Sequence, residues 1–134
     1  MSRRATREKI FKLLFRLEFN KKDEMPEQLS LFFEDGENSS NEKDETYIID
    51  KLEKILVNID EIDKLIDDKA EGWKSTRMGK VDLTIIRLAI FEINFDDDIP
   101  TGVAINEAVE LAKEFGQDES ASFVNGVLAK FAKK

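Results

Sequence analysis

Apolar residues recur along this chain at helical spacing, and no stretch alternates in the manner of a strand. Ile10, Leu13, Leu14 and Leu17 form an i, i+3, i+4, i+7 stripe, which predicts a helix over about 4–19. Phe11, Phe15 and Phe19 form a second stripe beside it, so the apolar arc covers more than half the circumference. An arc that wide calls for central burial or for a partner; Phe11 suits the first and Phe15 the second. Leu29, Phe32 and Phe33 predict a short helix over about 27–34, with Pro26 at its start. The stretch 35–42 has no apolar residue and reads as a mobile polar loop.

Ile48, Ile49, Leu52, Ile55 and Leu56 predict a third helix over about 44–57. Ile59, Ile62, Leu65 and Ile66 predict a fourth over about 60–71, capped by Asn58 and ended by Gly72 and Trp73. A linker over 74–80 leads to a helix over about 81–95 so apolar that it should be the most buried of all. Ala104, Ala108, Leu111, Ala112 and Phe115 mark the next helix, over about 103–115, whose alanines allow close helix approach. Gly116 is placed to end it as a C′ glycine. Asp118 suits the N-cap of a last helix over about 119–132, with Val124, Val127, Leu128 and Phe131 inward. Gly126 inside that helix costs about 1 kcal/mol against alanine, which predicts tight packing there.

The elements describe an all-α fold, and 134 residues suit one compact domain. No apolar run approaches the roughly 20 residues of a membrane span, and the charged N-terminus lacks a secretory core. The expected location is cytoplasmic. The chain has no cysteine and no histidine, which excludes disulfides, thiolate nucleophiles, imidazole bases and the usual zinc ligands. Asp96, Asp97 and Asp98 lack EF-hand spacing and read as a solvated loop rather than a cation site. No catalysis and no cofactor are expected.

Net charge is −8, yet it is divided unevenly. Residues 1–22 stand at +6, residues 23–72 at −12 and residues 73–134 at −2. A basic end on an acidic body suits a polyanion partner; a solvated amphipathic helix accounts for it equally well. Arg3, Arg4 and Arg7 fall at the start of the first helix, where cations oppose the macrodipole. Lys9, Lys12 and Arg16 fill the rest of its polar arc.

Three stretches carry a family resemblance: Val103-Ala104-Ile105-Asn106-Glu107-Ala108-Val109-Glu110-Leu111-Ala112-Lys113, Phe123-Val124-Asn125-Gly126-Val127-Leu128, and Val81-Asp82-Leu83-Thr84-Ile85-Ile86-Arg87-Leu88-Ala89-Ile90-Phe91-Glu92. With the basic first helix, they make the chain resemble the NusB family over nearly its whole length. The resemblance implies about seven helices in two small packed bundles, here about 1–72 and 73–134, forming a single RNA-binding domain over 1–134. It implies a transcription antitermination factor. Such a factor binds boxA RNA of ribosomal RNA leader transcripts with NusE, a small-subunit ribosomal protein. NusA, NusG and RNA polymerase join the larger complex.

Carried onto this sequence, the resemblance places RNA at Arg3, Arg4 and Arg7, with Lys9 and Lys12 on the same helix, and at Phe123 and Asn125. Arginine pairs bidentately with phosphate, and an aromatic ring stacks an unpaired base for about 1–3 kcal/mol. Phe123 suits a core position too, and Asn125 suits a backbone cap. The partner protein is expected on Phe15, Glu18, Phe19 and Asp82, although Asp82 serves equally as a first-turn acid. Some relatives form homodimers, and Phe15 and Phe19 suit such an interface. Ala5 and Thr6 interrupt the arginines, which points to partner-dependent RNA binding.

Two other classes compete. The fold also resembles the N-terminal domain of some rRNA cytosine methyltransferases, but no Gly-rich cofactor loop or cysteine supports methyl transfer here. A non-catalytic adaptor, using the apolar face of the first helix, is the alternative to RNA binding.

Overall fold

Ser2 starts the first helix with its side chain. In the computed structural model, which describes residues 2–70, 72 and 74–132, the Ser2 hydroxyl accepts the Ala5 N–H at 3.0 Å. Its carbonyl accepts the Thr6 N–H and the Thr6 hydroxyl, each at 3.0 Å. Helix α1 runs Arg3–Phe15 and ends earlier than the apolar stripe predicts. A 3-10 turn, Arg16–Glu18, follows it. The Asn20 side-chain amide donates to the Arg16 carbonyl at 2.8 Å, satisfying an acceptor that a longer helix would have used. Leu17, expected in the core, is consequently only half-buried.

Helix α2 spans Met25–Glu34 and carries Pro26 in its first turn. Met25 and Phe32 are buried, while Leu29 and Phe33 are half-buried. Helix α3 spans Glu42–Val57, and the Asn41 side chain accepts the Asp44 N–H at its start, at 2.8 Å. Helix α1 packs on both α2 and α3. Ile10, Leu13 and Leu14 from α1 are buried, as are Ile48, Leu52 and Ile55 from α3. These elements form one compact unit, Met1–Val57.

The second unit is Asn58–Lys134. Helix α4, Ile59–Lys69, belongs to it rather than to the N-terminal half, because its apolar face packs on α5. Asn58 stands at the N-cap position of α4, but its side chain makes no capping hydrogen bond. Glu71 and Trp73, expected to end this helix, lie outside the described residues. A 3-10 turn, Ser75–Arg77, replaces the expected plain linker. Helix α5, Lys80–Phe95, is buried at every position from Leu83 to Ile93. Helices α6, Thr101–Phe115, and α7, Ser120–Ala129, pack on α5 and on each other. Ala104, Ala108 and Ala112 are buried along α6.

Three expectations about turns and caps are corrected. Gly116 is extended (φ −92°, ψ −169°), not left-handed, so any residue suits its backbone. Space is what requires glycine there: a Cβ would stand 2.5 Å from the Ser120 Cβ and 2.8 Å from the Ala112 carbonyl oxygen. Asp118 does not cap α7. Glu119 occupies that position without a side-chain cap, and the Ser120 hydroxyl accepts the Gln117 N–H at 2.9 Å. Gly126 is exposed, with nothing within 4 Å of a built Cβ, so tight packing within the chain does not explain it. Among the described residues there are seven α-helices and no strand. None of these helices is long and apolar enough to cross a membrane.

Candidate nucleic-acid interface

The first turn of α1 contains no acid, and Arg3 and Arg4 are exposed on it. Nothing acidic in that turn offsets their repulsion by the helix dipole, and Ser2 already takes the Ala5 and Thr6 N–H groups, so the arginine side chains are what the turn offers a phosphate. Arg7 lies one turn further on and is 8% exposed. It is in register with Ile10, Phe11 and Leu14, so it belongs to the buried stripe rather than to the solvent face. Its aliphatic stem is therefore part of the packing.

Lys9 is half-buried and turned towards the polar loop. Its ammonium donates to the Asn38 carbonyl at 2.9 Å, the Ser39 carbonyl at 3.3 Å and the Ser40 hydroxyl at 2.7 Å. An ammonium has three protons, so these contacts use its donors fully. Lys12 is exposed and sits 3.7 Å from Glu8 one turn back. Arg16 holds α2: its Nη1 donates to Gln28 Oε1 at 3.1 Å, and its guanidinium lies 5.2 Å from the Phe32 ring centre. These tethers of Lys9 and Arg16 span 12 or more residues, so one helix's periodicity does not reveal them.

The aromatic stripe of α1 becomes a ladder. Phe11 and Phe15 have ring centres 6.3 Å apart, and Phe15 meets Phe19 edge-on at 5.3 Å. Exposure rises along it, from 4% at Phe11 through a half-buried Phe15 to 64% at Phe19. Glu18 is half-buried beside its outer end, in the 3-10 turn.

In the second unit, Phe123 is half-buried on α7 and Asn125 is exposed. Ser122, Gly126 and Ala129 are exposed as well, at the spacing of one helix face. That face is small and uncharged. Asp82 is half-buried in the first turn of α5, where its charge opposes that of Lys80 at the helix start. Asp96, whose carboxylate accepts the Asp98 N–H at 3.1 Å, shapes the turn between α5 and α6.

A sequence model described as "NusB family" matches residues 4–133. The transcription antitermination protein NusB of Agathobacter rectalis is 56% identical over 132 residues, covering 98% of this chain and all of the relative. Among solved structures, NusB of T. maritima superposes with a TM-score of 0.87 at 34% identity, covering 100% of this chain and 92% of that one. A chain from the crystal structure of antitermination factors NusB and NusE in complex with dsRNA superposes with a TM-score of 0.79 at 25% identity, covering 98% of this chain and 96% of that one.

Proposed function

Because the chain belongs to the NusB family, we propose that it is a non-catalytic transcription antitermination factor that binds RNA together with a NusE-type ribosomal protein. Its RNA is the boxA element of ribosomal RNA leader transcripts, and the outcome is fewer premature stops by RNA polymerase. NusA and NusG complete the assembly. The observation that carries this reading is the near-full-length match to an antitermination protein. The structural neighbour crystallised with NusE and RNA supports both partners.

The residues divide by exposure. Arg3, Arg4 and Lys12 meet phosphate from the solvent face of α1. Phe123 offers a partly open ring for stacking, and Asn125 an exposed amide for a base edge or phosphate. Arg7 and Lys9 act behind this set, holding α1 and the loop that Lys9 tethers. The NusE-type protein docks on Phe15, Phe19 and Glu18, and on Asp82 of α5. A homodimer through the same aromatic edge would compete with it.

The adaptor alternative is favoured by one observation, the 64% exposure of Phe19. The test is binding to a single-stranded boxA-type RNA and a scrambled control, with and without the NusE-type protein. Tighter, sequence-dependent binding with the partner is expected. Three to five phosphate contacts give a log–log salt slope of roughly −2 to −3.5. Equal weak binding to both RNAs in every mixture would leave the adaptor. Arg3→Ala with Arg4→Ala separates the two further, since an adaptor keeps its protein partner while an RNA binder loses RNA.

A further inference from the structure

The segment 74–80 is an ordered, basic turn. The Ser75 N–H donates to Asp67 Oδ1 on α4 at 2.7 Å, and both Ser75 and Met78 are buried. The Arg77 N–H donates to the Lys74 carbonyl at 2.9 Å, and the Met78 N–H to the Ser75 carbonyl at 3.3 Å. A turn closed this way keeps the Cα atoms of Lys74 and Arg77 within about 7 Å of each other. With Ser75 and Met78 anchored inward, Lys74, Thr76, Arg77, Gly79 and Lys80 are all exposed. No acid occurs between residues 72 and 81, in a chain whose net charge is −8.

Two features argue that the charge serves a ligand. Lys80 is the first residue of α5, where a cation opposes the dipole, while Asp82 supplies the acid of that turn. The backbone is also already fixed by the Asp67 and Lys74 hydrogen bonds, so engaging a partner costs little ordering. The exposed side chains are cationic, hydroxyl or absent. The turn's apolar side chain, Met78, is buried, so it supplies no anchor of the kind that protein interfaces centre on.

We infer that Lys74, Arg77 and Lys80 form a phosphate-contacting surface for single-stranded RNA in the second unit, a deepening that rests on the RNA-binding reading above. Lys74 and Lys80 act as point charges, and Arg77 adds a planar fork for phosphate or a face for a base. Such contacts strengthen binding without choosing sequence.

The test is K74Q/R77Q/K80Q in the full chain, titrated by fluorescence anisotropy. The probes are two single-stranded RNA 12-mers of unrelated sequence, over a salt series, with and without the NusE-type protein. Both RNAs should weaken alike, and the salt slope should become shallower by about 2, near 0.7 per lost contact. R77Q alone should shift it by about 0.7, which keeps the test decisive if the triple variant folds poorly. The charge-keeping K74R/R77K/K80R should restore the original slope. K43Q/K54Q/K64Q, removing exposed lysines of α3 and α4, should leave the slope unchanged. An unchanged slope in K74Q/R77Q/K80Q and in R77Q overturns this surface and leaves the RNA reading standing. Absence of RNA binding by the unaltered protein in every mixture overturns both. Loss of the ribosomal protein with RNA binding intact makes the turn a protein contact and overturns the inference.

Discussion

Arg87 grips Asp63 with two parallel hydrogen bonds, Nε to Oδ1 and Nη2 to Oδ2, each 2.8 Å long. The pair joins α5 to α4 across 24 residues of sequence. The Arg87 side chain is 11% exposed and that of Asp63 27%, so water screens the pair only in part. Removing one partner strands the other's charge. Arg87→Ala should lower unfolding free energy by about 2–4 kcal/mol. A urea-denaturation double-mutant cycle with Asp63→Ala should show positive coupling. Additive losses would show the fork to be incidental.

Gly116 and Gly126 in the second unit should respond with opposite signs to substitution by alanine. Gly116→Ala forces a Cβ against Ser120 and the Ala112 carbonyl, and should cost about 1–3 kcal/mol. Gly126→Ala enters open space inside α7 and should add up to about 1 kcal/mol. Thermal unfolding of the two single variants checks both. If RNA or a partner needs close backbone approach at Gly126, the same variant will bind less well while melting higher.

The arginines of α1 should separate by stability. Arg3→Ala and Arg4→Ala alter exposed side chains and should change stability by less than about 0.5 kcal/mol. Arg7→Ala removes a buried side chain and should cost about 1–3 kcal/mol. Chemical denaturation of each variant decides the order. Equal effects at all three would remove Arg7 from the packing.

Lys9 should matter to the loop it holds. Lys9→Gln leaves the Asn38 and Ser39 carbonyls without their cationic donor and should cost about 1–2 kcal/mol. Limited proteolysis should cut more quickly within residues 35–41. The salt slope for RNA should change less than in Lys12→Gln, because Lys12 is the exposed one.

The aromatic ladder should divide stability from recognition. Phe11→Ala creates a buried cavity and should cost about 3–5 kcal/mol. Phe19→Ala, at 64% exposure, should barely alter the unfolding midpoint while weakening capture of the NusE-type protein. Pull-down at matched melting temperatures checks this, and full capture by Phe19→Ala would clear that ring of a partner role.

The helices are legible because their apolar stripes recur at i, i+3, i+4 spacing, most of them over two turns or more. Their ends depend on single hydrogen bonds. The α-helix gives way to a 3-10 turn at Arg16–Glu18, where the Phe19 N–H and the Asn20 side-chain amide both bond the Arg16 carbonyl, and no periodicity encodes this. The boundary after Val57 follows from the packing of α4 on α5 rather than from the pattern of α4 itself. Part of the candidate site is legible in the sequence. Arg7 shares the register of Ile10, Phe11 and Leu14, which already marks it as inward. The basic spacing of Lys74, Arg77 and Lys80 is equally visible, but the Ser75–Asp67 bond that turns this linker into a fixed turn is not.

The corner between α6 and α7 also constrains descent. Ser120 can drift to alanine at the loss of its hydrogen bond with the Gln117 N–H. Gly116 cannot answer by growing, because the Ala112 oxygen in its way belongs to the main chain, and no substitution at 112 deletes it. Relieving the Ser120 side chain therefore does not by itself make room at position 116, because the main-chain oxygen stays where it is.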